Sequence, residues 1–196
     1  MRNTAFVLVG LVFLVLQANL FRVMSPLSAQ LLWLSEDAER GRGLAVFVAS
    51  CLTTPNLLLP LIVFTGVHEY SLSRGAMLAF VLGYAFVLLA AAPVGLFTFA
   101  SVASFVIARI AGVRLAAQTV ITQLALAFAF ALTEGVMVMV LVAIFHKDPY
   151  VARAMVPRLL PSAIATALAA PFVFRLAERV HNATMTVPRA SEGAAR

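Results

Sequence analysis

The chain has 196 residues, of which 63% are hydrophobic and 11% are charged, and its formal net charge is +6. This composition is too apolar for a soluble domain, so we predict one polytopic membrane domain over residues 1–180 and a disordered cytoplasmic tail over 181–196. The single cysteine, Cys51, excludes an internal disulfide and a cysteine-based metal site. The positive charges flank apolar segments, which makes membrane lipids the expected partner and excludes nucleic acid.

Apolar runs long enough to cross about 30 Å of hydrocarbon predict six helices. In chain order they cover residues 4–21, 44–67, 75–92, 98–111, 119–145 and 157–176. The first resembles a signal peptide because Arg2 precedes an apolar core, but residues 27–29 form a poor cleavage site and favour an uncleaved helix. Residues 25–34 are either a helix in the membrane interface or a loop anchored by Trp33.

The positions of Lys and Arg predict the orientation of this bundle. Counted by side of the membrane, eight arginines fall with the termini and six basic residues fall opposite, at Arg22, Arg40, Arg42, Lys147, Arg153 and Arg158. The basic excess on the first side predicts a multi-pass protein with both termini in the cytoplasm.

Small residues recur every four positions on three of the predicted helices. They are Gly75, Ala79 and Gly83, then Ala100, Ser104, Ala108 and Gly112, and finally Ala127, Ala131 and Gly135. Close backbone approach over small residues is a main source of helix association in lipid. These faces therefore predict tight packing, either within one bundle or in a specific homodimer.

Glu134 places a carboxyl in the middle of the most apolar helix, on one face with Gln123, Ala127 and Ala131. We expect it to point into protein, where burial favours the neutral acid. Polar residues also lie near the midpoints of other helices, at Asn56, Tyr84, Ser104 and Thr166. They could form a shared network with Glu134. Three roles for Glu134 stay open: a structural clamp, which we favour, a proton or ion relay, and part of a substrate site.

No helix pairs a nucleophile with a base, carries two aspartates, or contains an H-E-x-x-H arrangement, and no P-loop is present. We therefore predict a non-enzymatic protein without catalytic residues, cofactor-binding residues or metal ligands.

Three segments resemble the recurring blocks of the rod-shape-determining membrane protein family MreD. They are TPNLLLPLIVFTGV at 54–67, RGAMLAFVLGYAFVLLAAAPVGL at 74–96 and LLPSAIATALAAPFVFRL at 159–176. The residues that match the family pattern are Pro55, Gly83, Pro93, Gly95, Pro161, Ser162 and Pro171. The chain departs from that pattern at Asn56 and Val87, where the family carries acids, and at Thr166, where it carries asparagine.

The resemblance implies a non-enzymatic subunit of the cell-elongation complex in the bacterial inner membrane, which scaffolds or regulates peptidoglycan synthesis and cell shape. Its implied partners are a single-pass MreC-like protein, an actin-like filament and peptidoglycan synthases. The implied fold is an all-α bundle of about six membrane helices, similar to the substrate-binding S subunits of vitamin transporters. That similarity keeps a second function open, in which the chain is the substrate-binding membrane subunit of a small-molecule transporter.

Overall fold

The computed structural model describes residues 2–34, 45–51, 55–68, 71–90, 95–111, 119–145 and 149–185. Throughout these ranges the regular secondary structure is helical, and none of it is strand. The described residues form a short helical stretch at 45–51 and six longer helices, numbered in chain order. They are α1 (Arg2–Leu34), α2 (Leu58–His68), α3 (Leu72–Ala90), α4 (Leu96–Ile110), α5 (Val120–Phe145) and α6 (Pro149–Met185).

In the described part of the chain, four helices are long and apolar enough to cross a membrane. The candidate spans are Thr4–Pro26 in α1, Leu72–Leu89 in α3, Val120–Phe145 in α5 and Met155–Thr184 in α6. The other two helices are apolar but short, with 11 residues in α2 and 15 in α4. At 1.5 Å per residue they reach only about 17 and 23 Å, less than the ~30 Å thickness of a hydrocarbon core.

The second predicted helix, 44–67, is not continuous. Helix is present at 45–51 and again from Leu58, while Pro55, Asn56 and Leu57 are not helical. Proline lacks an amide hydrogen and clashes with the preceding turn, so it ends a helix more readily than it continues one. The prediction of one long helix here was wrong because apolar composition alone does not register this break.

Two other helices are longer than predicted. The α1 helix continues through residues 25–34 to Leu34, so neither a separate interfacial helix nor a loop begins there. The α6 helix ends at Met185 and includes residues 181–185, which had been assigned to the tail. Residues 186–196, the rest of the predicted tail, lie outside the described residues.

The short α2 helix lies at the centre of the bundle and contacts each of the other five helices. Its first nine residues, 58–66, are all buried. A helix that is apolar all round is stable only when protein or lipid surrounds it. Here the other helices surround it, and the main core is built around Leu59, Leu61 and Phe64.

Glycines let α3 and α4 lie against each other. A Cβ atom added at Gly83 of α3 would lie 2.8 Å from Ser101 Oγ and 3.0 Å from Thr98 Cα, both on α4. About two turns before Gly83, nearer the start of α3, a Cβ at Gly75 would collide with the ring of Phe105 of α4. These contacts place the Gly75, Ala79 and Gly83 face against α4, within the chain.

Candidate functional site

The break before α2 leaves backbone N–H groups that a continuous helix would have paired. Asn56 caps two of them, because its Oδ1 accepts hydrogen bonds from Leu58 N at 3.2 Å and Leu59 N at 3.3 Å. Gln17 of α1 supplies a third acceptor, since Leu57 N donates to its Oε1 at 3.2 Å. An Asn at the N-cap is among the most favourable choices for this role. The start of α2 is thus capped by side chains inside the bundle.

The same residue ties the break to the last two helices of the chain, α5 and α6. Asn56 Nδ2 donates to Glu134 Oε2 of α5 at 2.9 Å, and Asn56 N donates to Thr166 Oγ1 of α6 at 2.9 Å. Before the break, the thiol of Cys51 donates to the carbonyl oxygen of Pro161 at 3.4 Å. The interrupted segment is therefore fixed to α5 and α6 by polar contacts rather than by apolar packing alone.

Glu134 is buried, with 6% of its surface exposed. It lies on the inward face of α5, among the buried residues Gln123, Ala127, Phe130, Val138 and Val142. Its bond with Asn56 uses one carboxyl oxygen, Oε2. Within the described residues the other oxygen, Oε1, has no hydrogen-bond partner. A carboxyl group has capacity for several hydrogen bonds, so Glu134 can bind a further group.

A cavity of about 370 Å³ adjoins this carboxyl, and we call it the Glu134 cavity. Its polar lining comes from three helices and the break: Gln17, Asn56, Glu134, Arg158, Ser162 and Thr166. Its larger apolar side chains come from α3, α4, α5 and α6: Phe86, Phe97, Val138, Met155 and Leu159. Binding sites for small molecules combine these two kinds of lining in cavities of about this size.

Arg158 is the cation of the Glu134 cavity. It lies four and eight residues before Ser162 and Thr166, on the same face of α6. Eight residues correspond to about 12 Å along a helix axis, so Arg158 is well separated in depth from Thr166. Its side chain is exposed, and it forms no ion pair or hydrogen bond with any residue in the described ranges. The cavity is thus lined by a buried carboxyl and by an exposed guanidinium.

The structure brings together some of the residues that the sequence singled out. Asn56, Glu134, Ser162 and Thr166 all line the Glu134 cavity. Pro55 and Pro161 are buried, and Pro161 bonds to Cys51. The expected polar network therefore exists in part, linking the first and third resemblance blocks to α5.

Other predicted residues lie elsewhere. Tyr84 is 44% exposed and stacks on Phe80, so its prediction as a member of the network was wrong. Ser104 is buried in α4, and its hydroxyl has no hydrogen-bond partner in the described part of the chain. Gln123 is buried on the same face of α5 as Glu134, about 16 Å away along the helix.

The remaining predicted residues belong to the packing of the bundle or fall outside its described part. Gly83 packs on α4, and Gly95 precedes that helix in a left-handed conformation with a φ of 93°. Pro171 is partly buried within α6, and Pro93 lies outside the described residues.

Sequence reasoning missed Gln17 and Arg158. Gln17 was treated as part of an apolar first helix, although it is a polar residue near the middle of α1. Arg158 lies within the predicted helix 157–176 but enters the prediction only as a charge that sets orientation. Its spacing of four and eight residues from Ser162 and Thr166 was the available signal for a shared face.

The sequence matches no family model, and no curated protein or solved structure is significantly similar to it. The resemblance to the MreD family thus depends on the three blocks themselves.

Proposed function

We propose that the chain is a non-enzymatic inner-membrane subunit of the bacterial cell-elongation complex, which scaffolds or regulates peptidoglycan synthesis and cell shape. The observation that supports this proposal is the contact between the first and third resemblance blocks. The first block contains the break, and its Asn56 bonds to Thr166 in the third block. The second block supplies Gly83, which seats α3 on α4. Two of the three blocks therefore meet inside the bundle, and the second contributes to helix packing elsewhere in it.

We further propose that the chain crosses the membrane six times, with both termini in the cytoplasm. In this arrangement the stretch at 45–51 and α2 act together as one interrupted crossing, and α4 makes another. Interrupted helices are tolerated inside membranes where surrounding protein satisfies the freed backbone groups. Asn56 and Gln17 provide those hydrogen bonds here.

A scaffold of this kind acts through contacts with other proteins. The proposed partners are a single-pass MreC-like protein, an actin-like filament on the cytoplasmic side and peptidoglycan synthases that face outward. Exposed apolar side chains on α1 and α5, such as Leu8, Val12 and Ile144, provide membrane-facing surface for lipids or for a partner's helix.

The test is depletion of the protein in its rod-shaped host. Cells should become round, and the wild-type chain supplied in trans should restore rods. Asn56→Leu, which removes both the cap of α2 and the bond to Glu134, should fail to restore them. Tyr84→Phe is the matched control, because Tyr84 is exposed and does not line the Glu134 cavity, so loss of its hydroxyl should be harmless. Normal rods after full depletion would refute the role in shape.

A second function is favoured by the Glu134 cavity. Its volume of about 370 Å³ and its mixed polar and apolar lining suit the substrate-binding membrane subunit of a small-molecule transporter. Under this alternative, depletion should abolish uptake of one small nutrient and leave cell shape normal. Affinity purification should then recover an ATPase pair instead of a filament protein and peptidoglycan synthases.

A further inference from the structure

We propose that the Glu134 cavity binds the head of an amphiphile that carries a phosphate group and a hydroxyl group. Arg158 binds the phosphate and Glu134 Oε1 bonds to the hydroxyl. This inference does not depend on a role in cell shape, because it is drawn from the geometry of the cavity alone.

The burial of Glu134 and its carboxyl oxygen that is unpartnered in the described ranges are the reasons for proposing a hydroxyl group on the ligand. The side chain is 6% exposed, lines the cavity and keeps Oε1 without a partner among the described residues. Because Glu134 lines the cavity, a ligand that places a hydroxyl against Oε1 gains a hydrogen bond at this point. A hydroxyl can donate to a carboxylate or accept from a protonated carboxyl, and it therefore suits Glu134 in either state.

The phosphate is assigned from Arg158. A guanidinium group binds phosphate through two parallel N–H···O bonds, which is its preferred geometry. Arg158 lines the same cavity as Glu134 and has no anionic partner in the described ranges. It lies three residues after Met155, the first residue of the candidate span in α6, and so near one membrane surface. A phosphate is expected at that depth, because lipid phosphates lie at the boundary of the hydrocarbon.

The apolar residues in the rest of the cavity lining indicate that the ligand also has a hydrocarbon part and is therefore an amphiphile. Phe86, Phe97 and Val138 give the cavity apolar walls beside Glu134 and Arg158. Such walls hydrate poorly and favour carbon-rich parts of a ligand over water. A molecule with a glycerol-like head, a phosphate and attached hydrocarbon matches all three features.

The experiment uses the purified full chain in detergent and measures lipid binding by native mass spectrometry. The two probes are phosphatidylglycerol and phosphatidylmethanol with the same acyl chains. They share the phosphate and its charge, but only the first carries hydroxyls in its head. Wild-type protein should bind phosphatidylglycerol about ten-fold more tightly, the effect of one buried hydrogen bond.

Substitutions separate the two contacts. Glu134→Leu should abolish the preference for phosphatidylglycerol, whereas Glu134→Gln, which still forms hydrogen bonds, should keep most of it. Arg158→Gln should weaken binding of both lipids alike, by about ten-fold or more, because the lost contact is to the shared phosphate. Arg175→Gln is the matched control: Arg175 is also an exposed arginine of α6 but does not line the cavity.

The head group could belong to a membrane lipid or to a soluble phosphate ester, and competition with glycerol 3-phosphate distinguishes the two. If glycerol 3-phosphate displaces the lipid at a concentration similar to that of the lipid, the ligand is a soluble phosphate ester. If it does not, the ligand is a membrane lipid. Equal binding of the two lipids by the wild-type protein would overturn the proposal. So would an unchanged preference in a Glu134→Leu variant. The wild-type comparison remains decisive if that variant does not fold.

Discussion

The side-chain amide of Asn56 donates a 2.9 Å hydrogen bond to Glu134 Oε2, across 78 positions of the chain. This bond explains why a carboxyl occurs in the most apolar helix of the protein. The interruption before α2 needs a polar cap, and Asn56 provides it through its Oδ1. The amide nitrogen of the same partly buried side chain then needs an acceptor of its own. Glu134 is that acceptor, so the two polar residues stabilise each other.

The first prediction is the order of three substitutions at Glu134. Glu134→Gln should retain assembly, because its amide oxygen can still accept from Asn56 Nδ2. Glu134→Leu should be worse but tolerable, since intramembrane hydrogen bonds average only ~0.6 kcal/mol. Glu134→Lys should be the most damaging, at a cost of roughly 3 kcal/mol for insertion of the helix. Membrane abundance and thermal stability in detergent measure this order.

A proton or ion relay would give a different result. Glutamine neither exchanges a proton nor holds a cation, so the Gln variant of a relay would be as inactive as the Leu variant. An abundant Glu134→Gln protein that fails to restore cell shape would therefore eliminate the structural clamp.

The second prediction is an exchange across the Asn56–Glu134 bond. Asn56→Asp alone places two carboxyl groups at hydrogen-bond distance and should destabilise the protein by about 1–3 kcal/mol. Asn56→Asp combined with Glu134→Gln moves the acid to the break and the amide to α5, which restores a complementary pair. The double variant should recover most of the loss, as a double-mutant cycle in thermal unfolding would detect. Additive losses would mean that the two side chains act independently.

The third prediction concerns the α3–α4 contact. Gly83→Ala should destabilise the bundle by about 1–3 kcal/mol, because its Cβ would lie 3.0 Å from the backbone Thr98 Cα, which cannot easily move. Gly135→Ala is the matched control. Its nearest neighbour, also at 3.0 Å, is Cδ1 of Leu159, the end of a flexible side chain. Thermal unfolding in detergent should show a clear loss for Gly83→Ala only, and equal effects would contradict the packing argument.

The fourth prediction is the topology of the proposed six crossings. Reporter fusions after Glu39 and after Asp148 should report the outer side, and fusions after Gly112 and at the C-terminus should report the cytoplasm. The crossing formed by 45–51 and α2 is the critical one, because α2 by itself is too short to span. If the fusion after Asp148 reported the cytoplasm, the number of crossings between Glu39 and Asp148 would be odd.

The parts of the fold that the sequence predicts best are those set by long apolar periodicity. The predicted helix 119–145 corresponds closely to α5, and Gln123, Ala127 and Glu134 of its predicted inward face are buried. Hydropathy averaged over a window cannot detect a break as short as Pro55, Asn56 and Leu57, because three residues change the average only slightly. The local pattern Pro-Asn before an apolar run was the available signal, since Asn is a strong N-cap.

The site was predictable only in part, because the position of a residue along a helix does not determine which way its side chain points around the helix axis. Tyr84 lies near the middle of α3, yet it is 44% exposed, whereas Ala79 is buried. Arg158 falls inside both the predicted helix 157–176 and α6, so its shared face with Thr166 was already available from their spacing of eight residues.

The hydrogen bonds that close the break have a consequence for biogenesis. Thr166, the acceptor for Asn56 N, lies 110 residues later in the chain. At typical synthesis rates this segment emerges roughly 5 to 20 s after Asn56. During that interval the nascent break lacks its partners on α5 and α6, and α2 is too short to anchor itself. We therefore expect the insertion machinery or interfacial water to hold this segment until the last helix arrives, and chains truncated before Thr166 to be degraded in the membrane.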